Sequence, residues 1–343
     1  MTTTAFTDAL CIGIRRENWN VKTFQFSLAQ SHESFQFEAG QYVTLGVDTG
    51  NERLYRCYTI SSVPDTLGNT TFEITVKHSP TGAVSTWLHN KLTVGESLHV
   101  SRPAGDFVLP DNHAEPLLLV AGGVGITPLI SMARAIHAQG ENSNIQFLQF
   151  ARTPADILFH EELLQIGRAS RGITPHFYIS DEVDAKFSPG LLSKELLDQE
   201  IPDWTSRQVL CCGPDAFMSI MRTLFLENGG TAPRFHQERF QLPELTPKQV
   251  PGSMGISRIR LSQSLLELNC PPGTTILDAL HALPNGPKIP NACRSGVCGT
   301  CKLRKLEGQV EMNHNGGITD EEVDEGYVLP CCSIPLSDVT IEY

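Results

Sequence analysis

The sequence has no uninterrupted apolar run long enough to cross a bilayer. Its most apolar stretch, residues 117–133, is broken by Gly122, Gly123, Gly125 and Pro128, whereas a spanning helix needs about 20 apolar residues. The N-terminal segment MTTTAFTDAL has neither the basic start nor the apolar core of a signal peptide. Internal repeats and low-complexity segments are also lacking. These absences predict a cytoplasmic protein with no membrane partner.

Positive charge is scarce as well. The chain has 26 Lys and Arg against 38 Asp and Glu, a net charge of −12. An acidic balance argues against nucleic acid or an anionic membrane as the partner, although solubility alone would also explain it. The 343 residues contain ten cysteines, which without a secretion signal do not indicate a disulfide framework. This length predicts two or three domains.

Four of the cysteines have a spacing that is typical of ligands to a metal centre. The pattern C-x4-C-x2-C…C consists of Cys293, Cys298, Cys301 and Cys331. It is the ligand spacing of a plant-type [2Fe–2S] cluster, and Gly296 and Gly299 would let the backbone pass close to the inorganic sulfides. A structural zinc site usually takes paired C-x2-C knuckles, and only one such pair is present. The spacing therefore predicts a cluster held by these cysteines, with zinc or buried free thiols as the alternatives.

The first third of the chain is a series of short apolar or alternating runs between turn residues. They predict strands and a small closed antiparallel β-barrel, at residues 10–14, 23–28, 42–47, 55–60, 72–76 and 98–101. A short helix is predicted at 82–90. Arg56 and Tyr58 would share one strand face, where an Arg beside an aromatic ring suits a pyrophosphate next to a flat ring system. The turn at Gly82 would aim N–H groups at a phosphate. The alternative for the strand that carries Arg56 and Tyr58 is an ordinary edge strand. The alternative for the turn at Gly82 is an ordinary helix cap at Ser85.

After Pro110, strands alternate with helices, which predicts a doubly wound α/β unit with a parallel sheet. The strands are predicted at 117–121, 145–150, 173–179 and 209–212, and helices up to 137 and at 155–166, 191–197 and 215–227. The loop GGVGITP follows the first strand and opens a helix, where a pyrophosphate would meet N–H groups and the positive end of the dipole. A plain strand–helix turn is the alternative, because the loop departs from G-x-G-x-x-G.

The rest of the chain indicates a third, α+β domain. Residues 241–255 are rich in Pro and Gly and indicate a linker. Strands are predicted at 256–261, 265–268 and 339–341, and a helix at 275–281. Thr319 and Glu322 match a capping box, which predicts a short helix. The expected domains are therefore 1–110, 111–240 and 256–343, joined by the linker 241–255.

Several motifs together resemble the ferredoxin–NADP⁺ reductase superfamily, followed by a plant-type ferredoxin domain of β-grasp fold. They are R-x-Y-T at 56–59, V-K-x(n)-G-x-x-S at 76–85, PAGDF at 103–107, GGVGITP at 122–128, CGPDAFM at 212–218 and the cysteine pattern. The resemblance covers nearly the whole chain. It implies an FAD-binding barrel and an NAD-binding α/β domain.

The resemblance also implies roles for particular residues. Arg56 would contact the flavin phosphate, Tyr58 would pack on the isoalloxazine, and Thr59 would lie near flavin N5. Cys212 would lie beside nicotinamide C4. Glu238 would have a secondary catalytic role close to the flavin, with a surface carboxylate as the alternative. The remaining cofactor-binding residues implied are Val76, Lys77, His78, Gly82, Val84, Ser85, Gly123, Gly125, Thr127, Gly213 and Pro214.

The implied function is an NADH-dependent reductase. Electrons would pass from NADH through FAD to the [2Fe–2S] cluster and on to a partner protein, as in the reductases of multicomponent, Rieske-type monooxygenases. The alternatives are a reductase of hybrid-cluster protein, an FMN-containing dioxygenase reductase, and a redox sensor without turnover. NADH is favoured over NADPH because Asp181 and Glu182 follow the third strand of the α/β unit and would repel a 2′-phosphate. Arg152, after the second strand, would instead favour the 2′-phosphate of NADPH.

Overall fold

The computed structural model covers the chain with internal gaps. It describes residues 6–28, 35–49, 53–64, 71–110, 115–140, 144–169, 172–182, 184–240, 256–264, 266–283, 286–287, 289–291, 294, 296, 299–314 and 317–343. The predicted ligands Cys293 and Cys298 and the predicted linker 241–255 lie outside the described residues. Within the described ranges, no helix combines the length and apolar character that a membrane crossing requires.

The N-terminal part is a closed antiparallel barrel, as predicted. Its elements are β1 (Thr7–Arg16), β2 (Val21–Leu28), β3 (Tyr42–Asp48), β4 (Arg53–Thr59), β5 (Thr71–Lys77), α1 (Ala83–Asn90) and β6 (Ser97–Val100). The strand order is β4-β3-β6-β1-β2-β5, and an antiparallel bridge between Ile60 and Ile74 closes the ring. Alternate residues such as Phe24 and Phe26 fill the interior, which is the period of two expected of half-buried strands.

The middle part is a parallel sheet with helices on both faces. Its elements are β7 (Leu117–Gly122), α2 (Ile126–Gln139), β8 (Ile145–Ala151), α3 (His160–Ala169), β9 (Ile173–Ile179), β10 (Ser188–Pro189), α4 (Lys194–Glu200), β11 (Gln208–Cys212), α5 (Asp215–Glu227) and β12 (Phe235–Glu238). The order is β10-β9-β8-β7-β11-β12. Leu117 and Leu119 pack with α2 and α3, while Leu118 and Val120 pack with α4 and α5. Strand β7 is buried on both faces, as expected of a central parallel strand.

Two predicted helices begin later than expected. The helix predicted at 155–166 begins at His160, because Pro154–Asp156 forms a separate 3-10 turn and Phe159 has a positive φ of 55°. The helix predicted at 191–197 spans Lys194–Glu200, because Ser193 caps it by accepting a hydrogen bond from the N–H of Leu196. The helix predicted at 215–227 has the bounds expected.

The C-terminal part is an α+β unit. Its elements are β13 (Ser257–Leu261), β14 (Glu267–Cys270), α6 (Ile276–His281), β15 (Leu303–Glu307), β16 (Val310–Met312), α7 (Asp320–Asp324), β17 (Tyr327–Val328), β18 (Ser333–Pro335) and β19 (Val339–Glu342). The main sheet has the order β14-β13-β19-β15-β17, and β16 pairs with β18. The capping box forms: Thr319 accepts from the N–H of Glu322 at 3.3 Å, and Glu322 accepts from the N–H of Thr319 at 3.2 Å. The strand predicted at 265–268 lies two residues later, at Glu267–Cys270.

Candidate functional site

The glycine loop lies at the carboxyl end of the central strand β7. Gly123–Gly125 forms a 3-10 turn that leads directly into α2. Gly123 has φ +55°, and among the described residues nothing lies within 4 Å of the position that a Cβ would occupy there. The loop therefore presents open space beside main-chain N–H groups and the positive end of the α2 dipole. This arrangement fits a pyrophosphate.

The glycine loop touches the segment that follows β11 through main-chain atoms. A Cβ on Gly125 would lie 2.3 Å from the carbonyl oxygen of Cys212, and one on Gly213 would lie 3.0 Å from the Cα of Gly122. Neither position has room for a side chain, so glycine is required for this approach. The structure thus brings together the GGVGITP and CGPDAFM segments, which are far apart in sequence.

Cys212 lies at the same edge of the sheet, between two strand ends. Its register partners are Ala121 on β7 and Glu238 on β12. The side chain is fully buried. Burial first, and then the charge of Glu238, hold the pKa of the Cys212 thiol well above its ordinary value. The thiol is therefore a neutral packing group, while its neighbour Cys211 is buried in the core under α5, as predicted.

A contact between the barrel and the α/β unit lies next to Cys212. The hydroxyl of Thr59, at the end of β4, donates to Oε2 of Glu238 at 3.4 Å. Burial raises the pKa of Glu238 to about 8, and the bond from Thr59 opposes that shift. The carboxyl therefore holds its proton near neutral pH. The predicted catalytic residues Thr59, Cys212 and Glu238 are all brought to one place.

The exposed side of β4 carries the predicted flavin contacts. Arg56 is exposed, and its Nη1 donates to the carbonyl of Tyr55 at 2.7 Å. Burial raises the pKa of Tyr58, and the positive charge of Arg56 opposes the rise. An exposed guanidinium thus lies near a partly buried ring, an arrangement that suits a phosphate beside a flat ring system.

The predicted phosphate turn is held by its own serine. The hydroxyl of Ser85 donates to the carbonyl of Gly82 at 3.0 Å and accepts from the N–H of Ser79 at 3.1 Å. The Val84 side chain is buried. Main-chain N–H groups at the start of α1 would therefore meet a phosphate, and the Ser85 hydroxyl would shape the turn.

The other predicted cofactor residues differ in accessibility. Val76 is buried and Lys77 is exposed, so only the backbone of Val76 could meet a ligand. His78 shares a hydrogen bond with the hydroxyl of Thr86, Nε2 to Oγ1 3.3 Å. Thr127 is buried, and its hydroxyl donates to the carbonyl of Val124 at 3.2 Å. Thr127 therefore braces the glycine loop from within.

Of the predicted cluster ligands, Cys301 and Cys331 fall within the described residues. Both are buried in the hydrophobic core of the C-terminal unit. The N–H of Gly296 donates to Sγ of Cys331 at 3.3 Å, a bond that would stabilise a ligating thiolate. The neighbouring Cys332 is also buried, and its thiol donates to the carbonyl of Leu329 at 3.5 Å. Cys331 remains the predicted ligand of the two.

Two polar atoms near the cysteine loop were not predicted. Thr300 Oγ1 and His314 Nδ1 are buried and have no hydrogen-bond partner in the part of the chain that the structure describes. A Cβ on Gly296 would lie 2.8 Å from the Cα of His314, so the histidine lies against the loop. Buried polar atoms normally have partners, and the sulfur atoms of a cluster would supply them. Thr300 could be found from the sequence because it adjoins the predicted ligand Cys301, whereas no motif in the sequence marks His314.

Three family models match the chain in succession. An oxidoreductase FAD-binding domain matches residues 12–109, an oxidoreductase NAD-binding domain matches 119–223, and a 2Fe-2S iron-sulfur cluster binding domain matches 259–336. These matches confirm the predicted cofactors FAD, NAD and [2Fe–2S].

Several reductases are similar to the chain over almost its whole length. The glycine betaine monooxygenase reductase subunit of Chromohalobacter salexigens is 38% identical over 352 residues, with 97% of this chain and 94% of that protein covered. The NADH oxidoreductase HCR of Escherichia coli is 33% identical over 310 residues, with 90% of each covered. Among solved structures, phthalate dioxygenase reductase is 25% identical with a TM-score of 0.63, and 99% of this chain and 98% of that one are covered.

Proposed function

The chain belongs to the ferredoxin–NADP⁺ reductase superfamily, as an oxidoreductase with a C-terminal [2Fe–2S] domain, and we propose that it is the reductase component of a multicomponent monooxygenase. In this role it takes electrons from NADH and delivers them to a partner oxygenase of Rieske type. The cofactors supply the conversion of a two-electron donor into one-electron transfers. The chain supplies binding, orientation and a dry environment.

The observation that carries the proposal is the contact of Thr59 with Glu238. It joins the end of the barrel strand β4 to the carboxyl edge of the parallel sheet, where the glycine loop and Cys212 also lie. Ligands of open α/β sheets bind at this edge. A flavin ring beside Thr59 and a nicotinamide beside Cys212 would therefore face each other across the boundary between the barrel and the sheet.

Each binding residue has a separate task in this arrangement. Arg56 holds a flavin phosphate, Tyr58 packs on the ring, and the N–H groups that follow Gly82 meet the rest of the pyrophosphate. The N–H groups of the loop that contains Gly123 and Gly125 hold the dinucleotide. Glu238 keeps a proton on its carboxyl near neutral pH, so that this carboxyl adds no negative charge beside the flavin.

Cys212 contributes shape at this site. The thiol is fully buried and neutral, so it acts by packing at the strand end that a nicotinamide would approach. Gly213 and Pro214 continue the segment and set its distance from the glycine loop. We therefore assign Cys212 to the approach of the nicotinamide and not to acid–base chemistry.

The dinucleotide is proposed to be NADH. The N–H of Asp181 donates to the carbonyl of Arg152 at 2.8 Å, so an acidic and a basic residue adjoin at the ends of β9 and β8. Asp181 would repel a 2′-phosphate and can accept hydrogen bonds from ribose hydroxyls. Asp181 therefore outweighs Arg152 in this assignment.

The proposed domain boundaries separate the barrel, the parallel sheet and the C-terminal α+β unit. We place the FAD-binding domain at 1–110, the NAD-binding domain at 111–240, the linker at 241–255 and the ferredoxin domain at 256–343. The ligands Cys293, Cys298, Cys301 and Cys331 would hold the cluster in the last of these. A cytoplasmic location fits a reductase that draws on NADH.

The acceptor is the part of the proposal that needs its own experiment. Holoprotein is mixed anaerobically with NADH and, in separate samples, with a purified Rieske-type oxygenase component or a purified hybrid-cluster protein. The relative named as a monooxygenase reductase subunit favours the first acceptor, and the second is the alternative acceptor. We expect rapid, saturable reduction of the oxygenase component. Faster reduction of hybrid-cluster protein at equal concentration would reverse the assignment.

A further inference from the structure

Helix α2 is tied to the segment that directly follows Thr59. Nη1 of Arg134 donates to the carbonyl of Ser61 at 2.5 Å, and the hydroxyl of Ser131 donates to the carbonyl of Ser62 at 2.7 Å. Residues 131 and 134 are one turn apart and share a helix face. The helix that begins at the glycine loop is thereby fixed to the chain that leaves β4.

The guanidinium of Arg134 is itself held from the other side. Its Nε donates to Oε1 of Glu162 at 2.6 Å and its Nη2 to Oε2 at 2.7 Å, the planar fork geometry of a strong charge-assisted pair. The guanidinium carbon lies 5.0 Å from the ring centroid of Phe159, within the range of a cation–π contact. The Arg134 side chain is 14% exposed and that of Glu162 37%, so the pair is partly buried and is screened by salt less than a surface pair.

Arg134 is also a member of an alternating series of charges that crosses the boundary. Nη1 of Arg134 lies 4.0 Å from Oε2 of Glu73 on β5, and the same Oε2 lies 3.6 Å from Nη2 of Arg15 on β1. Arg15 pairs in turn with Glu17 at 2.8 Å. From Glu17 to Glu162 the signs alternate, and Arg15 and Glu162 are the more exposed members, at 53% and 37%. Exposed charges contribute little, so Arg134, which is the largely buried cation of the series, is the member on which the geometry depends.

We propose that Arg134 is a positioning residue for electron transfer from nicotinamide to flavin. It fixes the orientation of α2, and with it the glycine loop, relative to Thr59. Arg134 lies eight residues after Ile126, about 12 Å along the helix, so a tilt at this anchor moves the bound dinucleotide. A misplacement of about 1 Å can reduce a rate roughly a hundredfold. The inference rests on the proposed function and adds a residue that no motif in the sequence marks.

The test compares Arg134→Lys and Arg134→Gln with wild-type holoprotein. Anaerobic stopped flow gives the limiting rate of flavin bleaching and the apparent dissociation constant of NADH, and thermal unfolding gives Tm. We expect the limiting rate to fall at least tenfold in Arg134→Gln, and less in Arg134→Lys, which keeps the charge. The dissociation constant should change less than threefold, because Gly123 and Gly125 keep their contacts.

Arg207→Lys is the matched control. Arg207 is buried, pairs with Asp203 at 2.8 Å and donates to the carbonyl of Leu117 at 3.2 Å, all within the α/β unit. Its variant should lower Tm and leave the limiting rate unchanged. Ser131→Ala, which removes only the bond to Ser62, replaces the Arg134 variants if they do not fold, and it should lower the rate several-fold.

Failure of the positioning role and failure of the proposed function give different results. A wild-type limiting rate in folded, flavin-loaded Arg134→Gln, or in Ser131→Ala when that variant replaces it, would overturn the positioning role. An equal loss of rate in Arg207→Lys would overturn it as well, because the effect would then be general destabilisation. If wild-type holoprotein is not reduced by NADH at all, the proposed function fails and the inference falls with it.

Discussion

Replacing Glu238 with Gln should make the protein less sensitive to alkaline pH. Burial raises the pKa of Glu238 from its ordinary value of 4.5 to about 8. Between these values the folded protein holds a proton that the unfolded chain has released. Folding stability therefore falls as pH rises from about 4.5 to about 8 and is constant above that. Glutamine has a similar shape and cannot ionise, so this loss should be absent from the variant.

The size of the effect follows from the pKa. Each pH unit within the window changes the free energy of unfolding by about 1.4 kcal/mol. The two units from pH 6 to pH 8 therefore amount to at most about 3 kcal/mol, and to less if the partial exposure of Glu238 screens its charge. For a domain of this size, 1 kcal/mol corresponds to roughly 2–4 °C in Tm. The Tm of Glu238→Gln minus that of the wild type should increase by several degrees between pH 6 and pH 8.

The assay is thermal unfolding of flavin-loaded wild type and variant in matched buffers from pH 5 to pH 9.5. Taking the difference removes the contributions of all other titrating groups. Thr59→Val is the matched control, because it removes the hydrogen bond that lowers the pKa of Glu238. In that variant, the pH at which the loss of stability levels off should move above 8. Parallel profiles for Glu238→Gln and wild type from pH 6 to pH 8 would refute the raised pKa.

Two further predictions concern the cofactor contacts. Arg56→Ala should weaken FAD retention by about 1.5–3 kcal/mol, because a charge-assisted phosphate contact is lost; flavin absorbance after dilution and gel filtration measures this, and full occupancy would make Arg56 an ordinary strand residue. Cys212→Ala should lower the limiting rate of flavin reduction more than it raises the apparent dissociation constant of NADH, because the main-chain N–H groups of the glycine loop, which would hold the pyrophosphate, are unchanged in the variant. A pure affinity defect in stopped flow would place Cys212 in sheet packing alone.

Much of the fold could be predicted because local patterns and tertiary structure agree. Helix α5 has the predicted bounds, since Pro214 precedes its first turn and Gly229 and Gly230 follow its last. The barrel strands follow the period of two. The apolar spacing predicts a start of helix α3 that is too early, because the spacing extends back across Phe159, whose positive φ redirects the chain. That conformation is imposed by surrounding structure and leaves no mark in the sequence.

The candidate site likewise has parts that can be predicted from the sequence and parts that cannot. The glycine loop and the cysteine spacing carry their own signals, because a phosphate and a cluster each demand fixed residue types at fixed intervals. The contact of Thr59 with Glu238 joins residues 179 apart, and the bonds of Arg134 to Ser61 and Glu162 also join distant segments. An arginine on an amphipathic helix is indistinguishable in sequence from one that faces solvent. Such contacts become visible only in the folded structure, and those of Glu238 with Thr59 and of Arg134 with Ser61 only when the two domains are placed together.

The central claim is that electrons reach the protein partner through the flavin and then the cluster. The most direct test uses Cys331→Ser, because Cys331 is the predicted ligand that receives the N–H of Gly296. Wild type and variant are mixed anaerobically with NADH, and reduction of ferricyanide and of cytochrome c is followed in parallel. We predict that the variant lacks the cluster absorbance, keeps ferricyanide reduction, and loses cytochrome c reduction. Equal loss of both activities in a folded, FAD-loaded variant, or undiminished cytochrome c reduction without a cluster, would contradict this order of transfer.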